Sequence, residues 1–293
     1  MKQRIPALLN PGDVIGLSAT ARFATTEMVD TAKKHIEAAG YQCYFHSSIL
    51  KKDGQVAGSV EERINAFNHL IEHNDVRAIW NIRGGYGSAE IVDDVNWEAL
   101  KLAPKWLIGF SDFTTFLCHA NQHGIPAIHA PMPISFALTD PKHLQQTFEL
   151  LSTGKQSVAL QSAALSLKGT VIAGNLSVIY SIYGTKSLPD LKHCILFLED
   201  LDEYHYHIDR MLLALKRKGA FDELQAVVLG TFSDIHDHET KWGLSIENTL
   251  AKHFKDKGVP VIVDFPFGHT KNNWPLVTGT EATIENGIMI TEL

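Results

Sequence analysis

The feature that most constrains this chain is an exchange, through about residue 130, of short apolar runs with segments whose apolar positions recur at helical spacing. Strand-like runs fall at 14–17, 78–82 and 105–108; helical patterns fall at 26–39, at 60–72 and in the stretch holding Phe113, Phe116 and Leu117. Strands separated by helices build a parallel sheet covered on its faces, so an α/β architecture is expected. Ligands of such sheets gather at the carboxyl ends of the strands. Functional side chains are therefore to be sought just beyond each apolar run.

The pattern changes after residue 140. Asp140-Pro-Lys-His, Ser152-Thr-Gly-Lys-Gln-Ser157 and Gln161-Ser-Ala-Ala make residues 141–168 polar and mixed, as expected of an interdomain linker with a short helix at 144–151. A second block opens at Gly169-Thr-Val-Ile-Ala-Gly-Asn175. It holds strand-like runs at 194–198, 226–229 and 259–263, an amphipathic helix at 208–218 closed by Gly219, and a terminal pair of strand-like runs. The expected division is an N-terminal domain at 1–140, a linker at 141–168 and a C-terminal domain at 169–293.

Bulk properties narrow the function classes. A chain of 293 residues with 45% hydrophobic and 20% charged side chains suits two globular domains. Its formal charge of −7 argues against a nucleic-acid duplex or an anionic membrane as the principal partner. The first apolar run is short and broken by Pro6, and no later run approaches the length of a membrane span, so a cytoplasmic protein is expected. Cys43, Cys118 and Cys194 lack metal-like spacing and read as reduced, packed thiols.

Four stretches carry possible chemistry. Leu107-Ile-Gly-Phe-Ser-Asp-Phe-Thr114 places Ser111 where a strand pattern meets a helix pattern. That is the setting of a nucleophile elbow, although Phe113 replaces the second glycine of G-x-S-x-G; serine there equally suits a helix N-cap. Arg83-Gly-Gly-Tyr-Gly87 can aim backbone N–H groups at an oxyanion or carboxylate, or can be a tight turn alone. It has no Walker lysine, and its glycine spacing departs from the dinucleotide fingerprint. Glu199 stands at the end of the apolar run 195–198, where a carboxylate could orient an imidazole; Asp200, Asp202 and Glu203 are neighbouring candidates, and an acidic helix start explains them equally well. His269 follows a strand-like run and a turn, and can accept and return a serine proton if it lies near one. The chain order Ser, acid, His matches a known hydrolase order. The remaining histidines read as structural or solvated: His236 and His238 in a polar loop, His119 and His123 on one helical face without a zinc pattern, and His205 and His207 beside a helix start.

Taken in series, Pro11-Gly-Asp-Val-Ile-Gly16, Arg83-Gly-Gly-Tyr-Gly87, Gly109-Phe-Ser-Asp112, His129-Ala-Pro-Met132, Ala173-Gly-Asn-Leu176, Phe197-Leu-Glu-Asp200, Ile208-Asp-Arg-Met-Leu212 and Gly268-His269 resemble the serine LD-carboxypeptidase family, peptidase family S66, across nearly the whole chain. The family includes muramoyltetrapeptide carboxypeptidases and microcin-immunity hydrolases. Ala130 stands where it often has glycine in His-Gly-Pro, and Ala173 where Gly-Gly-Asn is common.

The resemblance implies a flavodoxin-like N-terminal parallel-sheet domain carrying the nucleophile and a smaller C-terminal α/β domain carrying the acid and histidine. It implies Ser111 as nucleophile, His269 as general acid/base, Glu199 as the orienting acid, and the backbone N–H groups of Asp112 and Gly85 as oxyanion donors. It also implies a homodimer that needs no metal or organic cofactor and releases the terminal D-alanine of a murein tetrapeptide during peptidoglycan recycling. Two rivals remain. One is a microcin-immunity-type hydrolase of peptidyl nucleotides, and the other a non-catalytic two-domain small-molecule binding protein.

Overall fold

The computed structural model describes residues 3–160 and 165–293. The amino-terminal half forms β1 (Val14–Ser18), α1 (Thr26–Ala38), β2 (Gln42–Phe45), α2 (Val60–Glu72), β3 (Val76–Asn81), α3 (Ser88–Ile91), α4 (Trp97–Leu102), β4 (Trp106–Gly109), α5 (Thr114–Gln122) and β5 (Ala127–His129). The strands lie in the order β2-β1-β3-β4-β5, every neighbour parallel. This is the flavodoxin-like order.

Both faces of the sheet are covered because side chains alternate along each strand. In β3, Ala78 and Trp80 join the core beneath α1, with Val29, Ala32 and Ile36; Ile79 joins the opposite core beneath α2, with Phe67, Leu70 and Ile71. Helix α2 starts at Ser59, whose side chain accepts from Glu62 N–H while the Glu62 carboxylate accepts from Ser59 N–H. That reciprocal cap fixes where the amphipathic face begins.

The remaining elements are α6 (Pro141–Thr153), β6 (Lys155–Ala159), β7 (Leu167–Asn175), α7 (Leu176–Ile182), β8 (Cys194–Leu201), α8 (His205–Arg217), β9 (Ala226–Ser233), α9 (Ile246–Lys255), β10 (Val261–Ile262), β11 (Leu276–Thr278), β12 (Glu281–Glu285) and β13 (Ile288–Glu292). A second sheet runs β10-β9-β8-β7-β12-β13-β6, parallel from β10 to β7 and antiparallel thereafter. No described helix is long and apolar enough to cross a membrane.

Residues 141–160 are more ordered than their composition implied. Helix α6 buries Leu144, Leu150 and Leu151 in the first domain's core, and β6 forms an edge of the second sheet. Gln161-Ser-Ala-Ala lies outside the described residues. The carboxyl-terminal region also returns to the first sheet: β11 pairs antiparallel with β5, and after Gly279, at φ +77°, the chain enters β12 beside β7. A Cβ at Gly279 would lie 2.3 Å from Asn121 Nδ2, so the crossing needs glycine for space and for conformation. The two sheets are thereby stitched together.

Candidate active site

Ser111 follows β4 in a left-handed conformation, φ +61°, at the head of a short 3₁₀ turn leading into α5. That region costs an L-residue about 1–2 kcal/mol, so tertiary contacts must hold it. Ser111 does not cap the helix. Phe110 occupies the cap position of the turn, Phe113 that of α5, and neither supplies a side-chain cap. The serine hydroxyl instead meets His269 Nε2 at 3.0 Å.

The glycine loop is locked against this turn. Asn81, buried at the end of β3, accepts from Ser18 Oγ, Thr20 N–H and Thr20 Oγ1, and its Nδ2 donates to Arg83 C=O at 2.7 Å. The buried Arg63 of α2 donates to the carbonyls of Thr20 and Gly87, each at 2.9 Å, and pairs with Glu90. Asp112 accepts Ser88 N–H at 2.9 Å. Burial raises the Asp112 carboxyl above its ordinary range, partly offset by hydrogen bonds from Ser88 and the charge of Arg63. A Cβ on Gly84 would stand 2.9 Å from both Cβ and Oγ of Ser111, so the loop backbone can lie against the serine only without a side chain there. Gly85 lines the same cleft, at φ +118°.

His269 Nδ1 is 2.7 Å from Glu199 Oε2. Since a carboxylate only accepts, Nδ1–H donates, and in the neutral ring Nε2 is left as acceptor for the Ser111 hydroxyl. Glu199 lies inside β8 rather than beyond it, fully buried, where the pairing with β9 shifts register between Leu198 and Asp200. Its depth excludes the alternative of an acidic helix start, because α8 begins only at His205. Burial pulls the His269 imidazolium down, but the charge and hydrogen bond of Glu199, helped by Asp200, outweigh it and raise the ring's pKa. Asp200 points elsewhere: it accepts Asn175 Nδ2, Ser177 N–H and Leu201 N–H. Burial and then the Glu199 charge push its carboxyl up to about 7 against those donors.

Ser111 and His269 face a cleft of ≈ 680 Å³ between the two sheets. Gly84 and Gly85 line it from one side and Leu201 and Asp202 from the other, while Arg22, Arg83 and Lys271 supply positive charge. In this arrangement the imidazole can take the hydroxyl proton while Glu199 stabilises the resulting cation. The other histidines lie outside that relay. His119 and His123 stack on Trp97, His207 meets Glu203, His236 pairs with Asp202, and His238 stacks on Tyr204. Among the described residues no group of three His, Cys, Asp or Glu is placed to hold a metal ion. Ala130 and Ala173 are both buried.

Arg63, Asn81 and Asn273 escaped the sequence reading, and Asp200 stood there only as a rival to Glu199. A polar Asn81 within an otherwise apolar run was the one available signal.

A flavodoxin-like domain joined to a second α/β domain, with a serine, a histidine and a buried carboxylate meeting in the intervening cleft, defines a two-domain enzyme of the hydrolase class. Residues 14–130 match the LD-carboxypeptidase N-terminal domain and residues 168–284 the LD-carboxypeptidase C-terminal domain, so the chain belongs to the LD-carboxypeptidase family. It is 28% identical to the murein tetrapeptide carboxypeptidase of Pseudomonas aeruginosa, covering 92% of each chain. It is 26% identical to the microcin C7 self-immunity protein MccF of Escherichia coli over an alignment of 338 positions, covering 100% of this chain and 98% of that one. The crystal structure of muramoyltetrapeptide carboxypeptidase from Oxalobacter formigenes superposes with a TM-score of 0.84 at 26% identity, covering 94% of this chain and 97% of that one.

Proposed function

We propose that this protein is a serine-type LD-carboxypeptidase that hydrolyses the L,D-peptide bond of a murein tetrapeptide and releases the terminal D-alanine during peptidoglycan recycling. The observation carrying this reading is the relay Ser111 Oγ to His269 Nε2 at 3.0 Å and His269 Nδ1 to Glu199 at 2.7 Å, open to the cleft. Ser111 Oγ attacks the scissile carbonyl carbon and its proton passes to Nε2. Glu199 holds the tautomer and steadies the imidazolium. The N–H groups of Asp112 and Gly85 receive the oxyanion. Collapse breaks the C–N bond as His269 returns the proton to the departing amine of D-alanine. Water, deprotonated by the same imidazole, then hydrolyses the acyl-serine and restores the hydroxyl.

The murein peptide is favoured by the murein tetrapeptide carboxypeptidase relative and by the muramoyltetrapeptide carboxypeptidase structure. A peptidyl nucleotide is the second substrate reading, favoured by full-length similarity to MccF. That alignment is longer than this chain's 293 residues, so MccF carries insertions absent here, which weighs toward the murein peptide. The reading also takes the protein as a cytoplasmic homodimer, with 1–140 presenting the nucleophile and 169–293 the acid and histidine.

The test incubates the protein with an LD-linked tetrapeptide, a DD-linked control and a peptidyl adenylate, and follows products by mass spectrometry. Release of D-alanine from the LD substrate alone, with a loss of about 10⁴-fold or more in Ser111→Ala, is the expected result. Turnover of the adenylate alone would move the substrate reading to the nucleotide. Equal turnover by Ser111→Ala would remove the proposed nucleophile.

A further inference from the structure

Behind the relay lies a buried pair that the chemistry above does not use. His129, last residue of β5, is fully buried, and its Nε2 is 3.2 Å from Asn273 Oδ1; the same oxygen accepts Gly268 N–H at 3.0 Å. Only the amide oxygen can accept a backbone N–H, so the Gly268 bond fixes which way Asn273 faces. That in turn requires His129 to donate from Nε2. Burial pulls the His129 ring down to about 4, against the raising influence of Glu199 and Asn273, which keeps it neutral at pH 7. Its ring packs on Phe267 at 4.1 Å and on Phe110 at 5.5 Å, while Phe110 itself lies 4.7 Å from the His269 ring. His129 is also the register partner of Gly109 in β4, two residues before Ser111. Thus one side chain from the first sheet touches the residue preceding the serine and, through Asn273 Oδ1, is tied to the backbone preceding the histidine.

We propose that His129 and Asn273 act as a positioning pair that sets the separation of Ser111 and His269 across the domain junction, by tying the Gly268 peptide to β5. This rests on the reading of His269 as general base. Misplacement of the imidazole by a fraction of an ångström would lower the rate of proton transfer while leaving the cleft that binds substrate intact.

A double-mutant cycle with His129→Phe, which keeps an apolar ring, and Asn273→Leu tests it on the LD-linked tetrapeptide. Each single variant is expected to lose about tenfold or more in kcat with KM within about twofold, and the double variant no more than the worse single one. Independent losses that multiply, or kcat unchanged in both folded single variants, would overturn the proposal. Histidine side-chain NMR on the unaltered protein gives a second test that does not depend on how the variants fold. His129 is expected as the neutral Nε2–H tautomer from pH 5 to 8; a charged ring at pH 6 or the Nδ1–H tautomer would overturn the positioning pair. Failure of the unaltered protein to turn over any substrate would strike the proposed function, while the NMR result would still decide the His129 hydrogen bond.

Discussion

The two halves of the site are built in opposite ways. Ser111 sits in a strand, turn and helix contiguous in sequence, and the glycine loop packed against its left-handed turn is held by Asn81, Asp112 and Arg63 within one sheet domain. His269 lies seven residues past the two-residue β10, on irregular chain held by a hydrogen bond from Gly268 N–H to Asn273 Oδ1 and by a carboxylate seventy positions earlier. Local sequence dictates the first half. Tertiary packing dictates the second, so its geometry depends on contacts between residues remote in sequence.

Four substitutions probe that contrast. Glu199→Gln is expected to lower kcat by about 10³-fold or more, because a carboxamide neither fixes the imidazole tautomer nor stabilises its cation as well. It also tests the sign of the electrostatics. The His269 pKa is raised, so kcat/KM should climb with pH through a value above the ordinary histidine range, and in Glu199→Gln this limb should move to lower pH. A limb that stays in place would deny Glu199 its influence on the ring. The same shift implies that stability gained from charged His269 is present below its unfolded pKa and lost as pH rises through the folded value.

Gly268→Ala comes next, because the residue adopts φ +112° and a Cβ would fall 2.7 Å from Glu199 Cβ and Oε2. A fall of about 10²-fold in kcat with little change in KM is expected in steady-state assays. Wild-type kcat would show that the histidine loop relaxes without cost. Arg63→Met removes the bonds to the Thr20 and Gly87 carbonyls and the ion pair with Glu90, and chemical denaturation should register a loss of about 2–3 kcal/mol. Unchanged stability would mean that the loop holds itself. The smallest effect on stability belongs to Ser111→Gly, which removes the left-handed strain. It should raise stability by about 1 kcal/mol while abolishing activity; a drop would show that the turn is not strained.

This division also explains what the sequence revealed. The parallel sheet through β1, β3 and β4 follows from the alternation of strand and helix patterns, while β2 and β5 went unread, and the glycine loop and Ser111 turn carry local chemical signals. Glu199 and His269 were recognisable only in company with Ser111, since a buried carboxylate and a turn histidine have many ordinary explanations. The return of β11 to the first sheet could not be read, because three residues, Leu276–Thr278, carry too little pattern to name a partner strand. Asn273 was illegible, and Asp200 legible only as a rival to Glu199, because their roles consist of contacts with His129, Gly268 and Asn175 that only the fold brings together.

The central claim is that the relay activates Ser111 and no other hydroxyl. Reaction with a fluorophosphonate, followed by intact-protein mass spectrometry and peptide mapping, measures this without assuming a substrate. The account requires one adduct, on Ser111, absent in Ser111→Ala and formed far more slowly in His269→Ala. An adduct on another residue, or labelling as fast without His269, would contradict it.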